Sequence, residues 1–220
     1  MIWPALKLSL LVVSIATVVV AVLGTAAGYL LAKGQFRGKE LLDALLTLPM
    51  VLPPTVTGYY LISLLGRRGW LGHPLYDLTG WSITFTWAAA VVASTVIALP
   101  LMVKSARAAI ENVDPQFEMA SYTLGKGALE TFFRVVLPLA SRGIGAGLVL
   151  SFARAFGEFG ATLMLAGNMP GRTQTLPLAI YEAVVAGEDE RAKWLALLLT
   201  AISVLVVYLT NRLAQPKKHA

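Results

Sequence analysis

Apolar residues fill five long stretches of this chain, and short polar segments separate them. The stretches are approximately residues 8–32, 41–65, 83–103, 144–166 and 194–211. A helix crossing a hydrocarbon core of about 30 Å takes about 20 apolar residues, so each stretch can span. The pattern predicts an all-α integral membrane protein with about five transmembrane helices in one domain, residues 1–220. The first stretch is too long for the apolar region of a signal peptide, so it is expected to remain as a span.

The spans are not plain anchors. The second contains Pro49, Pro53 and Pro54. Neither half is long enough to cross alone, so this span should be kinked or broken. Broken backbone at membrane depth is tolerated only where protein or a water-filled cavity covers it, which favours a transporter over an anchor. Gly24-Thr-Ala-Ala-Gly28 and Gly143-Ile-Gly-Ala-Gly147 are G-x-x-x-G patterns. Such patterns let helices approach closely, and both are read as packing.

Between the third and fourth spans lies a polar loop, residues 104–143. Phe117, Ala120 and Leu124 recur at helical spacing, Gly125 and Gly127 interrupt, and Leu129, Phe132, Phe133 and Val136 begin a second stripe. Two short amphipathic helices broken by glycine are predicted, with one apolar face and one wet face. Such a loop is suited to docking on a partner, or to lying on the membrane surface.

Composition narrows the class. The chain is 57% hydrophobic and 14% charged, where a soluble domain has roughly 25% charged residues. It has no cysteine and two histidines, His73 and His219. Disulfide, thiolate and histidine-cluster chemistry are therefore excluded, and no metal site or cofactor is expected. The net charge of +6 is read as orientation rather than nucleic-acid binding. Lys33, Arg37, Lys39, Lys104, Arg107, Lys126, Arg134, Arg142, Arg212, Lys217 and Lys218 fall on one side. The opposite side holds only Lys7, Arg67, Arg68, Arg172, Arg191 and Lys193. The richer side is cytoplasmic, which places the N-terminus outside, the C-terminus inside and the Glu118 loop in the cytoplasm.

The fourth stretch carries the candidate chemistry: Ser151, Arg154, Glu158 and Thr162. On one continuous helix entered near Ile144, Arg154 would lie ~15 Å deep. A charge there costs about 2.5–3.5 kcal/mol on insertion scales. Arg154 and Glu158 share a face with Ser151 and Thr162. The stripe is expected to line a pathway or gate, and the alternative is an ion pair that only fixes packing. Residues 175–187 are too short and polar to cross and are expected to form an interfacial or re-entrant helix. The run Glu188-Asp-Glu190 is read as a solvated face.

Several motifs carry a family resemblance. Glu118-Met-Ala-Ser-Tyr-Thr-Leu-Gly125 followed by Val135-Val-Leu-Pro138 resembles the EAA loop of importer-type ABC permeases. Met119 stands where that family usually has its glutamate, and Glu118 is one residue early. Arg154-Ala-Phe-Gly-Glu-Phe-Gly-Ala-Thr162, Asn168-Met-Pro-Gly-Arg-Thr-Gln-Thr-Leu-Pro177, Leu48-Pro-Met-Val-Leu-Pro-Pro54 and Gly66-Arg-Arg-Gly69 resemble molybdate permeases over almost the whole chain. Tungstate and sulfate permeases share Gly-Glu-Phe-Gly-Ala. Some relatives carry a further N-terminal span, which this chain is expected to lack.

The resemblance implies an importer-type permease fold and a homodimer in the inner membrane, bound to two cytoplasmic ABC ATPase subunits. A periplasmic or lipid-anchored binding protein would deliver a tetrahedral oxyanion, molybdate first, with tungstate and sulfate as alternatives. Glu118, Met119, Ala120, Ser121, Gly125, Leu137 and Pro138 would couple to the ATPase. The chain has no Gly-x-x-x-x-Gly-Lys-Ser/Thr phosphate loop, so it is not expected to hydrolyse ATP itself. A secondary transporter is the rival class, but no internal repeat supports it. A membrane enzyme is weaker still, because no nucleophile–base grouping is present.

Overall fold

The computed structural model describes residues 2–214, with side chains described as far as Tyr208. Lys217, Lys218 and His219 lie outside the described residues, and Arg212 lies beyond the last described side chain. The secondary-structure elements of the described residues are all helices, with no strand among them. Four helices are long and apolar enough to cross a membrane, or five if one bent pair counts as a single span.

Helix α1 (Ile2–Lys33) and helix α5 (Trp87–Glu111) form the centre. They approach closely because glycines face α5. A Cβ on Gly24 would sit 2.5 Å from Cγ of Met102, and one on Gly28 would sit 2.9 Å from the backbone nitrogen of Arg107. Helix α8 (Leu137–Phe156) meets α5 in the same manner, with a Cβ on Gly147 falling 2.4 Å from Cβ of Ser105. Both G-x-x-x-G patterns are therefore packing seams onto one helix.

The proline-rich second stretch is broken as expected. Helix α2 (Lys39–Val51) and helix α3 (Pro54–Leu65) bend by 118°. Leu52 and Pro53 are extended, as residues before proline prefer, and Pro54 starts the next helix. The short helix α4 (Gly72–Thr79) ends at Gly80 in the left-handed region.

The loop departs from expectation at both ends. Helix α5 runs on to Glu111, and helix α6 (Pro115–Thr123) is capped by the Asp114 carboxylate, which accepts from the Gln116 N–H at 2.9 Å. The second amphipathic piece is not separate. Helix α7 (Ala128–Thr131) continues through a π-helical turn (Phe132–Val136) into α8. Pro138 supplies the reason, since its ring cannot sit beside the carbonyl four residues back. The widened turn avoids that clash, and the Leu137 N–H donates to the Phe132 carbonyl five residues earlier.

The fourth stretch is not one helix either. It ends at Phe156 instead of Ala166, and helix α9 (Gly160–Ala166) begins after a break at residues 157–159. Periodicity alone did not reveal the break because both halves are apolar. Helix α9 packs along α3, where a Cβ on Gly58 would stand 2.9 Å from Cα of Ala161. The second halves of two broken stretches thus lie side by side. Helix α10 (Leu176–Val185) covers the expected re-entrant segment and buries Leu176, Leu178 and Ala179 against α1 and α11 (Asp189–Ala214).

Candidate functional site

Two regions hold the residues that the sequence singles out: the α6 surface at one end of the bundle and the break after α8. On α6 the polar face turns into the bundle and the apolar face turns out. Glu118 is only 8% exposed and Ser121 is buried, while Phe117, Met119, Ala120 and Tyr122 face outward. Leu124 is 77% exposed, and Leu129 and Phe133 extend the apolar surface. The polar residues turn inward because the bundle offers them partners. Lys33 at the end of α1 donates to the Glu118 carboxylate at 2.5 Å. The Ser121 and Thr131 hydroxyls pair at 2.8 Å.

Gly125 ends α6 with φ +77°. Its N–H donates to the Tyr122 carbonyl at 2.9 Å, and the Lys126 N–H donates to Ser121 at 3.2 Å. These two bonds form a Schellman cap, which needs the left-handed conformation that glycine supplies. Leu137 is half-buried and Pro138 exposed just past the π-helical turn.

The same end carries an ion network. Asp43 on α2 accepts from Lys104 at 2.6 Å and Arg107 at 2.9 Å, and Arg107 also reaches Glu111 at 2.8 Å. Charges read from the sequence only as orientation markers therefore also join α2 and α6 to the central pair of helices. Asp43 had a sequence signal: a lone acid inside Leu41-Leu-Asp-Ala-Leu45 demands a cation. Lys33 and Thr131 had none, because their partners are distant in the chain or across a turn.

At the break, Arg154 and Glu158 pair at 2.8 Å, with side chains 34% and 1% exposed respectively. The other Glu158 oxygen accepts from the Ala161 N–H at 2.8 Å, in the first turn of α9. Glu158 therefore holds the end of α8 to the start of α9. Ser151 lies on α8 and Thr162 on α9, both buried, so the expected four-residue stripe is divided by the break. Arg154 alone of the four reaches a surface. The starting point of α8 differs from the sequence estimate, yet Ala155 and Phe156 still share a core cluster with Ala98, near the middle of α5. A guanidinium anchored by a buried carboxylate keeps free donors at that depth, where they can meet an anion or another cation-seeking group. No group of three or more metal-ligating acids, histidines or cysteines exists among the described residues.

Residues 22–217 match the family described as binding-protein-dependent transport system inner membrane component. The chain is 42% identical over 214 residues to the molybdenum transport system permease protein ModB of Escherichia coli K12, covering 97% of this chain and 93% of that one. It is 41% identical over 212 residues to the putative molybdenum transport system permease protein YvgM of Bacillus subtilis, covering 96% and 92%. A bacterial ABC transporter that imports the acidic polysaccharide alginate shares the fold, with a TM-score of 0.77 at 13% identity over 96% of this chain and 78% of that one. The chain thus belongs to the family of binding-protein-dependent transport system inner membrane components.

Proposed function

We propose that this chain is the permease subunit of an ATP-driven importer of molybdate. The observation that carries the cargo is the near-full-length likeness to molybdenum permeases. The subunit conducts the anion and is not itself catalytic. ATP is hydrolysed by two partner ATPase subunits on the cytoplasmic side. A second copy of the chain completes the pathway on a two-fold axis, and an extracytoplasmic binding protein supplies the oxyanion. The N-terminus is outside and the C-terminus inside, in accord with the basic residues gathered around α6.

The outward apolar face of α6 supports its role as the ATPase dock, through Phe117, Met119, Ala120, Tyr122 and Leu124. Glu118, Ser121 and Gly125 serve the same coupling from within, by holding α6 to the bundle. Leu137 and Pro138 mark where the coupling segment becomes a membrane helix. ATPase closure pushes α6, and the Glu118–Lys33 pair passes that push to the end of α1. The Ser121–Thr131 bond passes it into α7 and along α8. The far end of α8 carries Arg154, so rotation there moves the guanidinium and its Glu158 hinge. Arg154 lines or gates the pathway, Glu158 positions it, and Ser151 and Thr162 pack behind them. Such rigid-body motion about a break is a common form of switching.

The test is reconstitution of the chain in liposomes with its ATPase and binding protein. Uptake should require ATP and should prefer molybdate, with tungstate and sulfate measured as competitors. Uptake that prefers sulfate would replace the cargo, and uptake without ATP would refute the importer reading.

A further inference from the structure

The outer end of the bundle holds two cavities separated by one ring. The first, about 670 Å³, is lined by Ser63, Arg67, Arg68, Thr84 and Phe85. The second, about 550 Å³, is lined by Trp81, Phe85, Trp87, Gly171 and Arg172. Both volumes fall in the range of small-molecule sites, roughly 300–1,000 Å³. Among the described residues no carboxylate lines either one.

The arginines are presented by a constructed turn. The Gly69 N–H donates to the Gly66 carbonyl at 2.8 Å, which places Arg67 and Arg68 at the tip. The turn folds tightly back onto α3, since a Cβ on Gly72 would lie 2.0 Å from the Gly66 carbonyl oxygen. The Arg67 guanidinium rests over the Tyr76 ring at 5.2 Å. The nearby His73–Asp77 pair, at 2.8 Å, is satisfied within α4. Among the described residues Arg68 and Arg172 have no acidic partner.

Phe85 between the cavities is the one described non-glycine residue with positive φ, at +61°. That conformation is strained for a residue with a Cβ. Such outliers persist where surrounding structure enforces them, often at functional sites. Here the Phe85 N–H donates to the Leu165 carbonyl in the last turn of α9, at 3.1 Å. The first turn of α9 is the one held by Glu158. One short helix therefore connects the partition between the cavities to the Arg154–Glu158 break.

We infer that these paired cavities are a receiving site for a tetrahedral oxyanion, with Arg68 and Arg172 as its donors, and that the occupant is the dissolved cargo. The inference rests on the oxyanion-importer reading above. Guanidinium forks match tetrahedral oxyanions with paired, charge-assisted hydrogen bonds. Unneutralised cations in a cleft with apolar walls focus the field and raise the local anion concentration. An oxyanion released by the binding protein thus finds its first donors here, one short helix from the proposed gate. Lipid phosphate offers the same chemistry, and an acidic protein surface could meet the same cations. The experiment separates these occupants.

The assembled transporter in phospholipid nanodiscs, without binding protein, is titrated with radiolabelled molybdate by equilibrium dialysis. Saturable binding is expected, and the R68Q/R172Q double variant should weaken it about tenfold or more, as loss of charge-assisted bonds implies. The R68K/R172K variant should recover only part of it, because an ammonium keeps the charge but not the paired fork, and co-purification with the ATPase checks that each variant assembles. Absence of binding in the unaltered protein overturns the inference. Binding that appears only in phospholipid-free detergent assigns the cavities to lipid phosphate and overturns it too. In liposomes with binding protein titrated, R68Q/R172Q should lower the maximal uptake rate and leave the half-saturating binding-protein concentration unchanged. A raised half-saturation with unchanged maximal rate would make these arginines protein-docking residues instead. If the unaltered transporter takes up no molybdate at all, the cargo reading fails. If it does and R68Q/R172Q matches it, only this inference fails.

Discussion

Lys33, the last residue of α1, is hydrogen-bonded to the Glu118 carboxylate of α6 at 2.5 Å, across 85 residues of sequence. Glu118 is the acid that family resemblance points to as a coupling residue, yet it faces into the helix bundle. The side chains that α6 leaves exposed include Phe117, Met119 and Tyr122. Glu118 therefore acts as a tether between α6 and α1.

Removing either partner of that tether leaves a largely buried charge alone. Loss of one partner from a fully buried pair costs about 3–5 kcal/mol. Here the Lys33 side chain is 27% exposed, so the cost is smaller. Glu118→Ala and Lys33→Ala should each lower ATP-coupled uptake several-fold while the protein still inserts. The swapped pair, Lys33→Glu with Glu118→Lys, should recover part of it. Additive losses in the swapped protein would show that the two residues do not act together.

At Gly125 an added Cβ would meet nothing within 4 Å, so the effect of a substitution comes chiefly from backbone strain at φ +77°. Residues that tolerate the left-handed region should be accepted there. Uptake and ATPase binding should fall in the order Gly125→Asn, Gly125→Ala, Gly125→Val, with valine close to inactive. Equal activity of all three would mean that the α6 cap plays no part in coupling.

Sidedness can be read with single cysteines, because the chain has none of its own. Gly72 is unsuitable as an outer position, because a Cβ there would collide with the Gly66 carbonyl oxygen. Leu78 on α4, which is 85% exposed, is the better outer position. Gly127, with open space around it, is the inner one. An impermeant thiol reagent added outside should label Leu78→Cys and spare Gly127→Cys. Reversed labelling would invert the proposed topology.

Glu158 does more than pair with Arg154, since it also holds the Ala161 N–H. Glu158→Ala should therefore destabilise the protein more than Arg154→Ala. The double alanine variant should insert better than Glu158→Ala yet still transport poorly or leak, because the Arg154 guanidinium is gone. Proteoliposome uptake at matched protein levels decides the matter. Full coupled uptake by the double variant would leave this pair with a packing role only.

The membrane class, the broken second span and the glycine seams were legible in the sequence, because each is a one-dimensional signal. A run of apolar residues is long enough to span whatever it packs against. Three prolines break a helix through their own rings. Gly125 likewise announces a cap that few other residues can make. The fourth span was misjudged in its bounds. Gly157-Glu-Phe-Gly160 interrupts α8 only because α9 finds a bed on α3 and Glu158 caps it.

The direction in which each face of α6 points was a tertiary decision. Helical spacing separates Phe117, Ala120 and Leu124 from Glu118 and Ser121, but it is symmetric about which set turns inward. The arrival of Lys33 and Thr131 from other segments decided it. A buried carboxylate is stable only beside a cation that the rest of the fold delivers. The same holds for the outer cavities, where arginines separated by about a hundred residues converge around Phe85. Local sequence determines what each segment can be, and only the packed chain determines which charges meet.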